Sequence, residues 1–330
     1  MSETGARLSD SAFLASVNDR DRSFWRFLAT VVAGGGGGLI VGLIVGVIAL
    51  VIFALGVGTS GGVSDLPSRI LALVTNDGAS LKSALMLLVL AATTNGPWAA
   101  VFIGVAALFG GHRIMVYLTA APRFRWRLLA SGLLFSFLTV GPLVLLSILF
   151  DPKAPRPPLL TLATTLPSQI GYAAASIALL IPAAAAEEVV FRGWLLRQTS
   201  VLTRNVVVLM ALNGILFSAV HGEFAPDPFL TRALMGAGFV YMTLRLGGIE
   251  FSTGAHAANN ILIVLFIQPL TLKAAPSSGV TFDSLFQDVF LFVAYVTMAE
   301  ITARWGPLRR LSGADLHPAD PATAAAEPSS

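Results

Sequence analysis

Three short stretches of this chain set ionisable groups inside apolar runs. Ala186-Glu187-Glu188-Val189-Val190-Phe191-Arg192 carries two adjacent carboxylates and then a guanidinium. Phe217-Ser218-Ala219-Val220-His221 closes a run that is apolar except for Asn213 and Ser218. His256-Ala257-Ala258-Asn259-Asn260 sets an imidazole one helical turn before a carboxamide. Ionisable groups at membrane depth are expensive, face inward and mark a functional site by default. On a helix, Glu188 and Arg192 form an i, i+4 pair in the favourable order. One arginine leaves the other carboxylate, Glu187, needing a second partner. His256 and Asn260 share a helix face. A carboxylate or imidazole can take a proton from water, and a second imidazole with an amide N–H can hold a developing oxyanion. Together these groups form a hydrolytic toolkit. Each also has a plainer use: both carboxylates pairing with Arg192, His221 anchoring a helix end, and His256 with Asn260 acting as polar glue between helices.

The elements that must position them are read from composition. The chain has 330 residues, 55% hydrophobic and 12% charged, with a mean hydropathy of +0.78. A soluble domain carries about twice that share of charge. Backbone groups in lipid must be paired internally, so long apolar spans are helices. The chain therefore reads as an all-α, polytopic membrane bundle with eight spans: 28–57, 84–109, 128–150, 169–196, 206–220, 229–246, 251–267 and 285–303. The fifth to seventh are short and carry polar residues. The apolar run 28–57 is longer than a signal core of roughly 7–15 residues, so it reads as a retained first span. Residues 1–27 read as a polar cytoplasmic segment, 28–303 as the membrane-embedded domain, and 304–330 as a basic and then disordered tail. The absence of cysteine excludes disulfides, Cys-ligated zinc and a thiol nucleophile. A net charge of +3 gives no reason to expect a nucleic-acid partner.

Gly34, Gly38, Gly42 and Gly46 make a small-residue stripe on the first span, suited to close helix packing. Asn95-Gly96-Pro97 interrupts the second, predicting a kink at Pro97 and leaving a role for Asn95 open. The Pro-rich loop 151–167 reads as extended. Basic residues cluster on one side of an eight-span topology: Arg20, Arg22 and Arg26; Arg113, Arg123, Arg125 and Arg127; Arg197 and Arg204; Arg245; Arg304, Arg309 and Arg310. That bias predicts a multi-pass protein of the inner (plasma) membrane with both termini in the cytoplasm. Helix arithmetic is less tidy. Counting along the hairpin puts His221 roughly 7 Å beyond the level of Glu187. A turn at Gly247-Gly248 puts His256 only about 12 Å up its helix, against about 26 Å for His221. A bent helix or a sunken turn is needed to bring them level.

Glu-Glu-x-x-x-Arg, Phe-x-x-x-His and His-x-x-x-Asn, in that order on consecutive apolar segments, resemble the CPBP family of intramembrane proteases, which includes the CAAX prenyl endopeptidases. The resemblance covers Glu187 to Asn260. It implies an eight-helix bundle with a water-accessible cavity. It implies that Glu187 and His221 activate water, that His256 and Asn260 form the oxyanion site, and that Glu188, Arg192 and Phe217 support them. The implied partners are a peptide or membrane-protein substrate and the lipid bilayer. No cofactor is favoured. Zinc remains the alternative, with Glu187, His221 and His256 as three ligands and the fourth position left for water. A transporter, or a non-catalytic immunity-type scaffold, would use the same buried polar residues differently.

Overall fold

The computed structural model describes residues 8–57, 65–150, 155–273 and 279–315. Part of the predicted Pro-rich loop, with Lys153, and most of the predicted tail lie outside the described residues. All eight predicted spans are helices. Among the described residues the longer helices, in chain order, are α1 (Phe24–Gly56), α2 (Leu66–Thr75), α3 (Leu81–Gly110), α4 (Trp126–Phe150), α5 (Leu166–Leu202), α6 (Val206–Ala219), α7 (Pro226–Leu246), α8 (Glu250–Leu262), α9 (Phe282–Arg304) and α10 (Gly306–Ser312); the loop expected to be extended instead holds one helical turn, Pro158–Thr161, with proline in its first turn, where no N–H is needed. The protein is a polytopic helical bundle.

Local chemistry sets the helix ends. Thr165 and Ser168 cap α5 reciprocally, and Thr281 and Ser284 do the same for α9. Asn205 accepts the Val207 and Val208 N–H groups at the start of α6. Gly111 and Gly247 close α3 and α7 in the left-handed conformation.

Five helices, α1, α3, α4, α5 and α9, are long and apolar enough to cross a membrane. Among the others, α8 is shielded by the bundle itself. In α8 every residue but Asn260 is buried, and the helix packs on α4, α5 and α7. A helix wrapped in protein needs neither full membrane length nor an apolar lipid face. By contrast α1 exposes Ile40, Ile44, Val47, Ile48 and Ile52, the surface expected against hydrocarbon chains.

Glycine permits two close helix crossings. The predicted stripe on α1 lies against α3: a Cβ on Gly38 would sit 2.6 Å from the Trp98 carbonyl oxygen, and one on Gly42 2.6 Å from that of Thr94. The stripe therefore serves packing within the chain. Where α4 crosses α8, a Cβ on Gly132 would overlap the Phe251 carbonyl and one on Gly254 that of Leu129. Small residues let backbones approach where no hydrophobic driving force between helices exists.

The start of α8 is sunk into the bundle. Ala120 N–H donates to Gly247 O at 2.8 Å and Ile249 N–H to Leu118 O at 2.9 Å. Arg125 grips Glu250 with two bonds of 2.9 Å, both side chains being buried. Glu250 also sits in the first turn of α8, where a negative charge suits the helix dipole. Arg125, Arg197 and Arg245 are thus paired structural groups as well as basic residues near helix ends: Arg245 bonds Glu300, and Arg197 is fully buried.

The segment before α1 folds back on the bundle. Phe13 and Leu14 are buried in the main core, and Ser11 Oγ donates to Leu244 O at 2.6 Å. Arg197 donates to Phe13 O at 3.1 Å and Ser16 Oγ at 2.7 Å. Asp21 completes the clasp, with His112 at 2.9 Å and Arg197 at 3.7 Å. Burial works to raise the Asp21 carboxyl, but hydrogen bonds from His112 and the Asn18 backbone, with the charges of His112 and Arg197, hold it below the ordinary 3.8. A lowered carboxyl stabilises the fold above its unfolded value, and that contribution is lost as pH falls through the folded one. Asp21→Asn is expected to lower stability at pH 7 by about 1–2 kcal/mol. The difference from wild type should close as pH drops below 3.8, read by thermal unfolding in detergent across pH. A gap that persists in acid would assign the effect to shape rather than charge.

Candidate active site

The site forms where α5 changes its winding. The α-helical part of α5 ends at Glu188, and Val189–Leu195 continues as a π-helical turn. Such turns are rare and occur often at functional sites. Arg192 lies within it, and its Nη1 stands 2.9 Å from Glu188 Oε1, the i, i+4 pair that the spacing predicts. Both side chains are buried. The guanidinium also lies over the Phe217 ring at 4.2 Å and the Phe239 ring at 5.0 Å, a cation–π arrangement that gains strength out of water. Its Nη2 donates to Gly236 O at 3.3 Å.

Glu188 Oε1 also meets His256 Nδ1 at 3.0 Å. His256 is buried, stacked on Phe239 at 5.1 Å between ring centroids. With Nδ1 turned to Glu188, the other ring nitrogen, Nε2, faces Glu187 Oε2 at 3.7 Å. Glu188 thus braces an imidazole as well as pairing with a guanidinium. Its second oxygen, Oε2, is buried without a hydrogen-bond partner.

Glu187 turns the other way. Its side chain is 21% exposed, and Oε2 lies 4.0 Å from Nε2 of His221, itself 32% exposed. His221 follows the end of α6, where its Nδ1 lies 2.8 Å from the Phe217 carbonyl oxygen. A carbonyl only accepts, so Nδ1 carries the proton and Nε2 of the neutral ring presents a lone pair. Glu187 Oε1 takes a hydrogen bond from Asn95 Nδ2 on α3 at 3.4 Å. Phe217 is fully buried at the centre, edge-on to His221 at 4.9 Å and to His256 at 5.9 Å.

Glu187 and His221 open onto a cavity of about 860 Å³. α1 lines it with Phe27, Val31, Leu39 and Leu43, α3 with Leu90, Asn95 and Trp98, and α6 with Leu216 and Val220. The wall is apolar apart from a few groups gathered at one end. A mostly apolar chamber with few convergent polar groups is the usual form of a ligand site.

The structure therefore brings Glu187, Glu188, Arg192, Phe217, His221 and His256 into one cluster. The plainer use in which both carboxylates pair with Arg192 holds for Glu188 alone. The height mismatch of His256 is resolved by the sunken start of α8. Asn260 stands one turn beyond His256 on α8. It is half-buried, and its side chain makes no hydrogen bond to another described residue. It is not among the residues lining the cavity. The contact of Asn95 with Glu187 went unread in the sequence, although a carboxamide in an apolar span is itself a signal. Among the described residues no three His, Asp or Glu side chains are arranged to hold a metal ion. The Glu187, His221 and His256 set does not fit zinc in this arrangement.

Residues 169–262 match the family model described as type II CAAX prenyl endopeptidase Rce1-like. That segment contains all seven residues singled out from the sequence and stops short of Asn95 and α1. The chain is 30% identical over 160 residues to the uncharacterized protein YyaK of Bacillus subtilis, covering 46% of this chain and 51% of that protein. It thus spans about half the length of the curated relative it matches. No solved structure matches.

The burial pattern separates structural from water-facing members of the cluster. Arg192→Leu strands the Glu188 carboxylate and should cost about 3–5 kcal/mol. His221→Ala removes a part-exposed ring and should cost no more than about 1 kcal/mol. Thermal unfolding of the purified variants in one detergent orders the two. Equal losses would contradict this division.

Proposed function

We propose that the protein is an intramembrane endopeptidase that hydrolyses a peptide bond with a water held between Glu187 and His221. The observation that carries this reading is the 4.0 Å separation of Glu187 Oε2 and His221 Nε2. Both atoms are acceptors, and polar atoms this far apart are suited to a bridging water. A water bound by two acceptors gives them its hydrogens and turns its lone pairs outward, toward the cavity. A peptide carbonyl entering from there meets the nucleophile correctly oriented.

The step balances without a covalent enzyme intermediate. The water oxygen bonds to the carbonyl carbon as one of its protons passes to Glu187 or His221. The carbonyl oxygen takes the negative charge. His256, braced at Nδ1 by Glu188 and facing Glu187 Oε2 through Nε2, is the first donor that the family resemblance implies for it. Carrying a proton there, it donates to the oxyanion, with Asn260 as the second donor that the family resemblance implies. The proton taken from water then goes to the departing nitrogen as the C–N bond breaks, leaving a carboxylic acid and an amine. This reading takes the metal-free route because Glu187 and His221 suffice to accept the proton of the bound water.

The match over 169–262 supports an endopeptidase, and its printed description supplies a first substrate to try. The apolar cavity suits a substrate that is itself membrane-associated. The protein is placed by this reading in the plasma membrane, passing through it several times with both termini in the cytoplasm.

Purified protein in phospholipid vesicles should cleave an internally quenched membrane peptide, an S-farnesylated CAAX-type peptide being the first tried. Glu187→Gln and His221→Ala should each lower kcat by about 10²–10⁴-fold while thermal unfolding stays cooperative. Activity should survive exhaustive chelation. Wild-type turnover by Glu187→Gln would overturn the assignment, and loss to chelator with rescue by Zn²⁺ would replace it with a metal mechanism.

A further inference from the structure

Glu187 is the only carboxylate of the pair without a cation, since the charge of Arg192 is engaged by Glu188. Its two oxygens keep separate company. Oε2 faces His221 at 4.0 Å and His256 at 3.7 Å. Oε1 faces Asn95 Nδ2 at 3.4 Å, and among the described residues no other hydrogen bond reaches the Glu187 side chain. A glutamate has several rotatable bonds and considerable rotamer freedom to lose. Held by the backbone of α5 alone, its carboxylate would sample several directions, few of them placing one oxygen against both imidazoles.

Asn95 is well built to restrict it. It lines the same cavity as Glu187 and His221. Its neighbours on α3 are fixed: Thr94 backs onto Gly42 and Trp98 onto Gly38 of α1. Thr93 and Thr94 return their hydroxyls to the Val89 and Leu90 carbonyls, closing the helix on itself just before Pro97. The carboxamide is thus presented from an immobilised turn, and its N–H group is the donor that an acceptor-only carboxylate requires.

We propose that Asn95 is a positioning residue: by donating to Glu187 Oε1 it turns Oε2 toward His221 and His256 and fixes where the nucleophilic water is held. The role rests on the hydrolytic reading of Glu187. It lies outside the segment that carries the family resemblance. The competing use of Asn95, plain polar glue between α3 and α5, would affect stability without affecting the chemical step.

The test uses full-length protein in phospholipid vesicles and the S-farnesylated quenched peptide. Asn95→Leu should lower kcat by about 10–100-fold, as a misplaced reacting group does, with KM within about twofold. Leu108→Ala, at an exposed position of the same helix outside the cavity, should leave both unchanged. Asn95→Ser, too short to reach Oε1, should repeat the loss of kcat if the leucine variant does not fold. The melting-temperature shifts of Asn95→Leu and Glu187→Gln should be non-additive in the double variant, because the two side chains share one interaction. Wild-type kcat in Asn95→Leu or Asn95→Ser, or additive melting shifts, would overturn the positioning role while leaving Glu187 as the base. If wild-type protein cleaves no peptide, the hydrolytic reading falls and the positioning role with it. Non-additive melting would then establish the bond alone.

Discussion

A carboxylate with no access to water persists in a folded protein only when its surroundings supply opposite charge and hydrogen-bond donors. Glu188 is such a group, and much of the site follows from satisfying it. Arg192 reaches it from the next turn of the same helix, at the expense of its own burial. Phe217 and Phe239 then cover the guanidinium faces. His256 arrives from α8 to meet the same oxygen. Four helices, α5, α6, α7 and α8, are tied to one buried charge, and the orientation of an imidazole is set in the process. Glu187, one position earlier and about 100° around the axis, is thereby left to face the cavity.

The supports extend outward from there. The π-turn re-aims Arg192, and the sunken start of α8 brings His256 level with the carboxylates. Arg125 and Glu250 hold that start in place, with the backbone of the 118–120 loop. The glycines of α4 and α8 allow those two helices to touch almost backbone to backbone. On the far side the glycine stripe seats α1 on α3 and so closes the cavity. Each of these is a packing or pairing solution, and none touches the reacting atoms.

How much of this could be read from the chain depended on the range of the interaction. The Glu188–Arg192 pair is local, and i, i+4 spacing gives it directly. The helices too are local, because hydropathy and capping residues act over a few turns; even the short α6 and α8 show as interrupted apolar runs. The depth of α8 is a different matter. It is set by a salt bridge between residues 125 apart and by the loop between α3 and α4, so counting residues from Gly247 put His256 at the wrong height. The Asn95 contact spans 92 positions, and only the cost of a carboxamide in hydrocarbon hinted at it. The N-terminal clasp was read as a polar segment because its two anchoring side chains, Phe13 and Leu14, are too few to form a pattern. The partner of Asn260 was not legible either, and the structure gives its side chain none among the described residues.

The cavity wall has a further implication. The helices that carry the acid and the two imidazoles fall within 169–262, but α1, which forms one whole side of the chamber, does not. Substitutions along the inner face of α1 can reshape what the chamber admits while the proton-handling groups stay as they are. On the proposed function, the walls that select a substrate and the groups that act on it thus belong to separate stretches of the chain.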